Sequence, residues 1–234
     1  AVVCVLVLSP SSYGKVTRRA LARHLYLDTA PVLLGFTVLA ALISLVLTRI
    51  VVVTAISYGL SRYALEMVIR VLVLELIPLT AALFVAMRCT IPNGTQLALL
   101  RQSGHLARLS HAGADPIRVE LLPRAVAGVF ACITLAALSC VVALVLAYLG
   151  VYGFSLAGLP SYTRMFGHVF APAVTLVFVI KTVLFSLAVA LIPMAAGLYD
   201  TGERTQPDSE LGGLARMFAV LLLIEIGSLV GNYY

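Results

Sequence analysis

Long apolar runs alternate with short polar stretches along this chain. The apolar runs cover about residues 32–57, 68–91, 125–151, 171–198 and 214–231. Each approaches or exceeds the roughly 20 residues that a helix needs to cross the hydrocarbon core of a bilayer, and stretches rich in glycine or proline separate them. The pattern predicts an all-α integral membrane protein whose five transmembrane helices form one domain over residues 32–231.

The composition supports the membrane class. Hydrophobic residues make up 62% of the chain, charged residues 11%, and the mean hydropathy is +1.07. Soluble domains are about 45–50% apolar and about 25% charged. The net charge of +6 is therefore interpreted through membrane topology. Basic residues are not interleaved with aromatic ones, so nucleic-acid binding is not expected.

The distribution of basic residues predicts the orientation. Lysine and arginine are concentrated before the first span, in the segment 93–124 and around the fourth linker, whereas the alternate loops hold few. The positive-inside rule then places the N-terminus and segment 93–124 in the cytoplasm and the C-terminus on the opposite side. Residues 1–31, apolar at first and then basic, are predicted to form an interfacial or elbow helix.

Segment 93–124 is the one long polar stretch between two spans. Arg101, His105 and Arg108 fall at i, i+4 and i+7, so they are expected to share one face of a helix that starts at Asn93 or Thr95 and ends at Gly113. The segment is interpreted either as a solvated basic loop or as a coupling helix that docks into a cytoplasmic partner.

A second helix is predicted to open directly after Gly113. Asp115 is expected to be its N-cap and Pro116 its first residue, with Arg118 in the first turn, and it leads into the third span. Two capped helices in about thirty residues favour the coupling interpretation, because a simple tether needs less structure.

Four charged residues lie inside apolar runs: Arg49, Glu75, Lys181 and Glu225. A charge that faces lipid costs about 2.5–3.5 kcal/mol on insertion scales, so such residues usually face a protein interior or a wet cavity. With a rise of about 1.5 Å per residue, all four fall in the outer half of their spans. They are expected to form one polar cluster, which either holds helices together or lines a cavity for an amphipathic substrate.

Pro78 lies one turn after Glu75 and is expected to kink the second span, which exposes backbone carbonyls beside the acid. The chain shows no nucleophile–base pair, no metal-ligand spacing and no cofactor or nucleotide motif. It is therefore not expected to be an enzyme or to bind a metal or cofactor. If nucleotide hydrolysis drives movement, another chain must bind the ATP.

Four motifs in matching order resemble the MlaE/YrbE family of ABC-transporter permeases. They are LELIP at 74–78 followed by AALF at 81–84, HAGADPIR at 111–118 with the Pro-Arg pair at 123–124, IKTVLF at 180–185 and GLYD at 197–200. The resemblance runs from about residue 32 to the C-terminus.

The resemblance implies a permease of the bacterial inner membrane that dimerises, binds two copies of a cytoplasmic ABC ATPase and works with a periplasmic MCE-domain lipid carrier. Such systems move phospholipid or other hydrophobic molecules. It places Glu75 near the lipid cavity, to which Pro78, Arg49, Lys181 and Glu225 are assigned as well. It places Arg101, His105, Arg108, Asp115, Pro116 and Arg118 at the ATPase.

Departures from the family pattern leave alternatives open. Leu74 and Ile77 replace an arginine and a glycine of the family, and Gln96, Gly104 and Ser110 replace acidic residues of the loop. The partner ATPase is then expected to be more acidic at its groove, or the chain pairs with a different subunit. Two other functions fit the sequence: a membrane scaffold that recruits a cytoplasmic partner, and a proton-coupled secondary transporter using Glu75 and Glu225.

Overall fold

The computed structural model describes residues 15–113, 115–199 and 206–233, and these ranges are helical, without any strand. The described α-helices, numbered in chain order, are α1 (Lys15–Ser57), α2 (Ser61–Val68), α3 (Ile77–Val85), α4 (Ile91–Gln102), α5 (His105–His111), α6 (Leu122–Tyr152), α7 (Leu159–Val169), α8 (Pro172–Tyr199) and α9 (Gln206–Tyr233). Three π-helical segments (Ile69–Leu76, Ala86–Thr90 and Ile117–Leu121) and a 3-10 turn (Leu156–Gly158) lie between them.

Five helical stretches in the described residues are long and apolar enough to cross a membrane. They are Thr29–Ser57, Tyr63–Gln102, Ile117–Tyr152, Pro172–Leu198 and Gly212–Asn232, here called the first to fifth spans. The predicted five-span all-α fold is therefore confirmed. The second span is 40 residues long, or about 60 Å, against about 30 Å of hydrocarbon. It must therefore extend beyond the membrane core.

The N-terminal region differs from the expected separate elbow helix. Residues 1–14 lie outside the described part of the chain, and from Lys15 onward α1 runs without a break to Ser57. Pro31, at the predicted boundary, lies inside this helix. The described part of region 1–31 is thus continuous with the first span.

Each π-helical segment ends two residues before a proline. Pro78, Pro92 and Pro123 each stand at the start of the α-helix that follows one of these segments. Proline has no N–H to donate and its ring clashes with the carbonyl four residues earlier. A wider π turn keeps the chain helical while it accommodates that clash. The second span therefore stays continuous although it contains two prolines.

Burial differs strongly among the spans. In the most apolar stretch of the second span, 56% of the residues are buried, against 22% in the corresponding stretches of the first and fifth spans. The second span is therefore central, while the first and fifth present apolar side chains such as Leu42, Val46 and Leu223 outward. In a membrane, such faces meet lipid tails or another protein rather than water.

The bundle has two ends, named here after the short helices at each. The α5 end also holds the C-terminal end of α8, and the α7 end holds the C-terminal ends of α1 and α6. At the α5 end, α4 and α8 approach closely at two glycines: a Cβ on Gly94 would lie 2.7 Å from the carbonyl oxygen of Pro193, and one on Gly197 would overlap the carbonyl oxygen of Gly94. Only glycine permits this approach.

Candidate functional site

Three charged side chains from three spans meet in the half of the bundle nearer the α7 end. Lys181 of the fourth span contacts Oε2 of Glu75 on the second, and its Nζ lies 2.8 Å from Oε2 of Glu225 on the fifth. The Lys181 side chain is 1% exposed, and those of Glu75 and Glu225 are 13% and 15% exposed. Three of the four residues that were expected to form one polar cluster, Glu75, Lys181 and Glu225, do meet. We call these three residues the charged triad.

One proline of the second span, Pro78, contributes to the same site. Proline cannot donate to the carbonyl four residues earlier, so the oxygen of Leu74 is available. The Nζ of Lys181 donates to it over 3.3 Å, and the ammonium also lies 5.7 Å from the centre of the Phe185 ring. A carbonyl beside the acid thus accepts from Lys181, whereas the kink at Pro78 stays a prediction.

Arg49 does not join the charged triad. Its side chain is exposed, and it forms no ion pair within the described residues. The neighbouring Thr48 packs against Gly150, only two residues before α6 ends at Tyr152. The expected depth of Arg49 was counted from the end of its own helix, but α1 runs several residues past α6. Arg49 therefore lies level with the end of α6, and its inclusion in the cluster was wrong.

An apolar groove of about 230 Å³ opens between the first and second spans. It is lined by Phe36, Leu39, Ala40, Ile43 and Ser44 on one side and by Leu72, Leu76, Ile77, Thr80, Leu83, Phe84 and Met87 on the other. The hydroxyls of Ser44 and Thr80 donate to carbonyls of their own helices, so they offer no unused donor to a ligand. The residues of the charged triad do not line this groove.

The segment between the second and third spans is divided differently from the prediction. Helix α4 starts at Ile91 and forms the last part of the second span, and Asn93 is buried within it rather than capping a loop helix. The helix ends at Gln102, and two residues later Gly104 adopts a left-handed conformation with φ of 72°. Glycine takes this conformation without steric cost. Arg101 therefore lies on α4 while His105 and Arg108 lie on α5, and the expected common face was wrong.

The second predicted helix start is correct. Helix α5 ends at His111 and Gly113 is left-handed, with φ of 77°. The N–H of Ile117 donates to Oδ1 of Asp115 over 3.0 Å, so Asp115 caps the helical segment that Pro116 opens. Arg118 and Asp115 are about half exposed and 3.5 Å apart. Such a pair contributes little to stability.

Glu120 joins α5 to the third span. Its carboxylate lies 2.5 Å from Nη1 of Arg124 and 3.8 Å from Nε2 of His105. The Arg124 side chain is 10% exposed, and its Nη1 also donates to the carbonyl of Glu120 over 2.6 Å. We call His105, Glu120 and Arg124 the coupling cluster. It connects α5 to the base of the third span.

Arg101 connects α4 to the fourth span. Its Nη1 donates to the carbonyl oxygen of Leu198 over 2.8 Å. This oxygen belongs to the last turn of α8, where carbonyls lack helical partners and a cation is favourable. Together with the contact between Gly94 and Gly197, this bond ties the second span to the fourth at the α5 end. By contrast, the side chain of Arg108 is exposed on α5.

Several residues of these sites escaped the sequence analysis. Glu120 and Arg124 stand at i and i+4, a spacing that signals pairing on a helix. Ser103–Gly104 is a turn dipeptide inside the presumed loop helix. No sequence signal pairs Gly94 with Gly197, because this contact depends on how two distant helices cross.

The fold and the site define a multi-pass α-helical membrane protein with a short helix at one end and a charged triad within the spans. The family model described as Permease MlaE matches residues 21–230, nearly the whole chain, and the chain therefore belongs to the MlaE permease family. The resemblance found in the sequence is confirmed. A comparison with curated proteins gives no match. Family membership implies a permease subunit of an ABC transporter that works with partner subunits, a transport role rather than a catalytic one.

Proposed function

We propose that this permease works as a dimer and moves phospholipid, or a similar hydrophobic molecule, between the bacterial inner membrane and a periplasmic MCE-domain carrier. A separate ABC ATPase binds the ATP and drives the movement. The α5 end faces the cytoplasm in this proposal, so the N-terminus is cytoplasmic and the C-terminus periplasmic, as the positive-inside rule predicts.

The observation that carries the proposal is the way α5 is connected to the spans. Through His105 and Glu120, α5 contacts the base of the third span. Through Arg101, the adjoining α4 holds the last turn of the fourth span. A partner that moves α5 would therefore displace the third and fourth spans together. The fourth span also carries Lys181, so such a displacement would reach the charged triad.

Two features support a lipid as the substrate. The groove between the first and second spans is apolar and lies within the membrane-spanning part of the bundle, where an acyl chain would be its natural occupant. The outward apolar faces of the first and fifth spans leave room for the second permease copy and for lipid.

Exposed cations at the α5 end supply a surface for the ATPase. Arg108 is exposed on α5, and Arg118 is half exposed at the start of the next helix. Opposite charges across an interface favour both encounter and correct orientation. We therefore expect the ATPase to present acidic residues here.

A charge reversal tests the proposal. The permease with its ATPase and carrier would be reconstituted in liposomes, and ATP-dependent transfer of a fluorescent phospholipid to the carrier would be measured. Arg108→Glu should weaken ATPase retention and lower transfer at least tenfold. Arg164→Glu, which reverses an exposed arginine on α7 at the other end of the bundle, is the matched control and should retain the ATPase.

Two results would contradict the proposal. One is transfer that proceeds equally without ATP. The other is an ATPase whose retention falls with Arg164→Glu but not with Arg108→Glu, since that would place it at the wrong end of the bundle.

A further inference from the structure

The charged triad contains unequal numbers of positive and negative groups. One ammonium faces two carboxylates, so the site carries one excess negative charge if both acids are ionised. It lies inside three spans, where an uncompensated charge costs several kcal/mol. Other acidic or basic side chains of the described residues do not contact it, and Arg49, the remaining charge in the first span, is exposed elsewhere. Compensation must come from something other than a second basic residue.

The hydrogen bonds of the triad show a shortage of donors. An ammonium has three N–H groups, and that of Lys181 faces Glu75, Glu225 and the carbonyl of Leu74. Oε1 of Glu75 is buried without a hydrogen-bond partner among the described residues, and Oε2 of Glu225 lies near Lys181 without a well-oriented hydrogen bond. A buried acceptor without a donor costs about 1–3 kcal/mol. Each acid thus has one oxygen that lacks a well-oriented donor among the described residues.

A proton would correct both defects. Oε2 of Glu75 and Oε2 of Glu225 both contact the same Nζ of Lys181, so the two carboxyl groups lie side by side and a proton on one of them can be shared with the other. Two carboxyl groups that share a site commonly hold one proton between them because they cannot both be ionised cheaply. With that proton, the triad has one positive and one negative charge and gains the missing donor.

We propose that Glu75 and Glu225 bind one exchangeable proton between them, which makes the charged triad electrically neutral within the membrane. The proton belongs to the pair and not to either acid alone. Removing either carboxyl group leaves one carboxylate opposite Lys181, and the remaining carboxylate then has no need of the proton.

Infrared spectroscopy of the permease in lipid bilayers at neutral pH tests this directly. The wild-type protein should show the carbonyl stretch of a protonated carboxylic acid, with an intensity of about one group per chain, and this band should shift in D2O. Both Glu75→Gln and Glu225→Gln should abolish it. Glu66→Gln is the matched control, because Glu66 pairs with Arg70 on the second span outside the triad, and it should leave the band unchanged.

The proposal fails if the wild-type protein shows no acid band at neutral pH, or if the band survives either single substitution in the triad. If one variant does not fold, the wild-type band, its shift in D2O and the other variant still decide. The measurement needs neither ATP nor a partner, so its outcome is independent of lipid transport. The two proposals can therefore fail separately. Absence of ATP-dependent transport with the band present counts against the proposed function alone, and absence of the band with transport intact counts against the shared proton alone.

Discussion

The charged triad and the coupling cluster use the same kinds of side chain in opposite settings. In the triad, Lys181 is 1% exposed and its partners come from spans far apart in the sequence. In the coupling cluster, His105 is 44% exposed, whereas Glu120 and Arg124, one helical turn apart, are 20% and 10% exposed. Breaking a buried pair leaves a charge without water, whereas water readily replaces the partner of an exposed side chain such as His105. The triad should therefore govern stability, and the coupling cluster should govern communication with a partner.

The largest expected effect comes from Lys181→Met. This change removes the only cation of the triad and leaves two acids facing each other in the membrane. We expect a loss of about 3–5 kcal/mol in the free energy of unfolding, measured by denaturant titration of the purified protein. The triple variant with Glu75→Gln and Glu225→Gln should recover most of the loss. If Lys181→Met were as stable as the wild type, the triad would contribute nothing to the free energy of unfolding.

A smaller effect is expected where α4 crosses α8. In Gly197→Ala the new Cβ would overlap the carbonyl oxygen of Gly94, so the two helices must separate, at a cost of about 1–3 kcal/mol. Gly227→Ala is the control, since a Cβ there meets nothing within 4 Å. It should be neutral or slightly stabilising, because alanine favours helix over glycine. Equal melting temperatures for the two variants would argue against a tight crossing.

Glu120→Gln should lower the free energy of unfolding less than the two changes above, and its main effect should be on ATP-dependent transfer. Arg124 would lose a charged partner but keep its bond to the Glu120 carbonyl, so we expect a loss of about 1 kcal/mol. In the reconstituted system, ATP-dependent transfer should fall further than the amount of folded protein. A parallel decline of both quantities would indicate that Glu120 serves stability alone.

The smallest effect is expected for Arg49→Gln. Arg49 is exposed and lies level with the end of α6, outside the triad. The change should alter the free energy of unfolding by no more than about 0.5 kcal/mol. A loss comparable to that of Lys181→Met would mean that Arg49 acts with the triad after all.

Local sequence rules predicted much of both regions. Asp115 and Pro116 open a helix as expected, because an N-cap and the first-turn proline act within a few residues. The meeting of Glu75, Lys181 and Glu225 was also predicted, as part of a four-residue cluster, since charged residues within spans usually face the protein interior. The same reasoning failed for Arg49, because depth was measured along a helix that extends past its neighbour. The predicted helix start at Asn93 was wrong for another reason: π turns carry the second span through Pro78 and Pro92 as one continuous helix.

By itself, the sequence determined the membrane class, the number of spans and the family. These depend on the length of the apolar runs, on composition and on short motifs, all of which are local in the sequence. The tertiary structure decided which charges meet, where the apolar groove lies and how α5 connects to the third and fourth spans. These depend on helix rotation and crossing. Burial and contact between distant residues are set by the packing of the whole bundle and not by any local pattern.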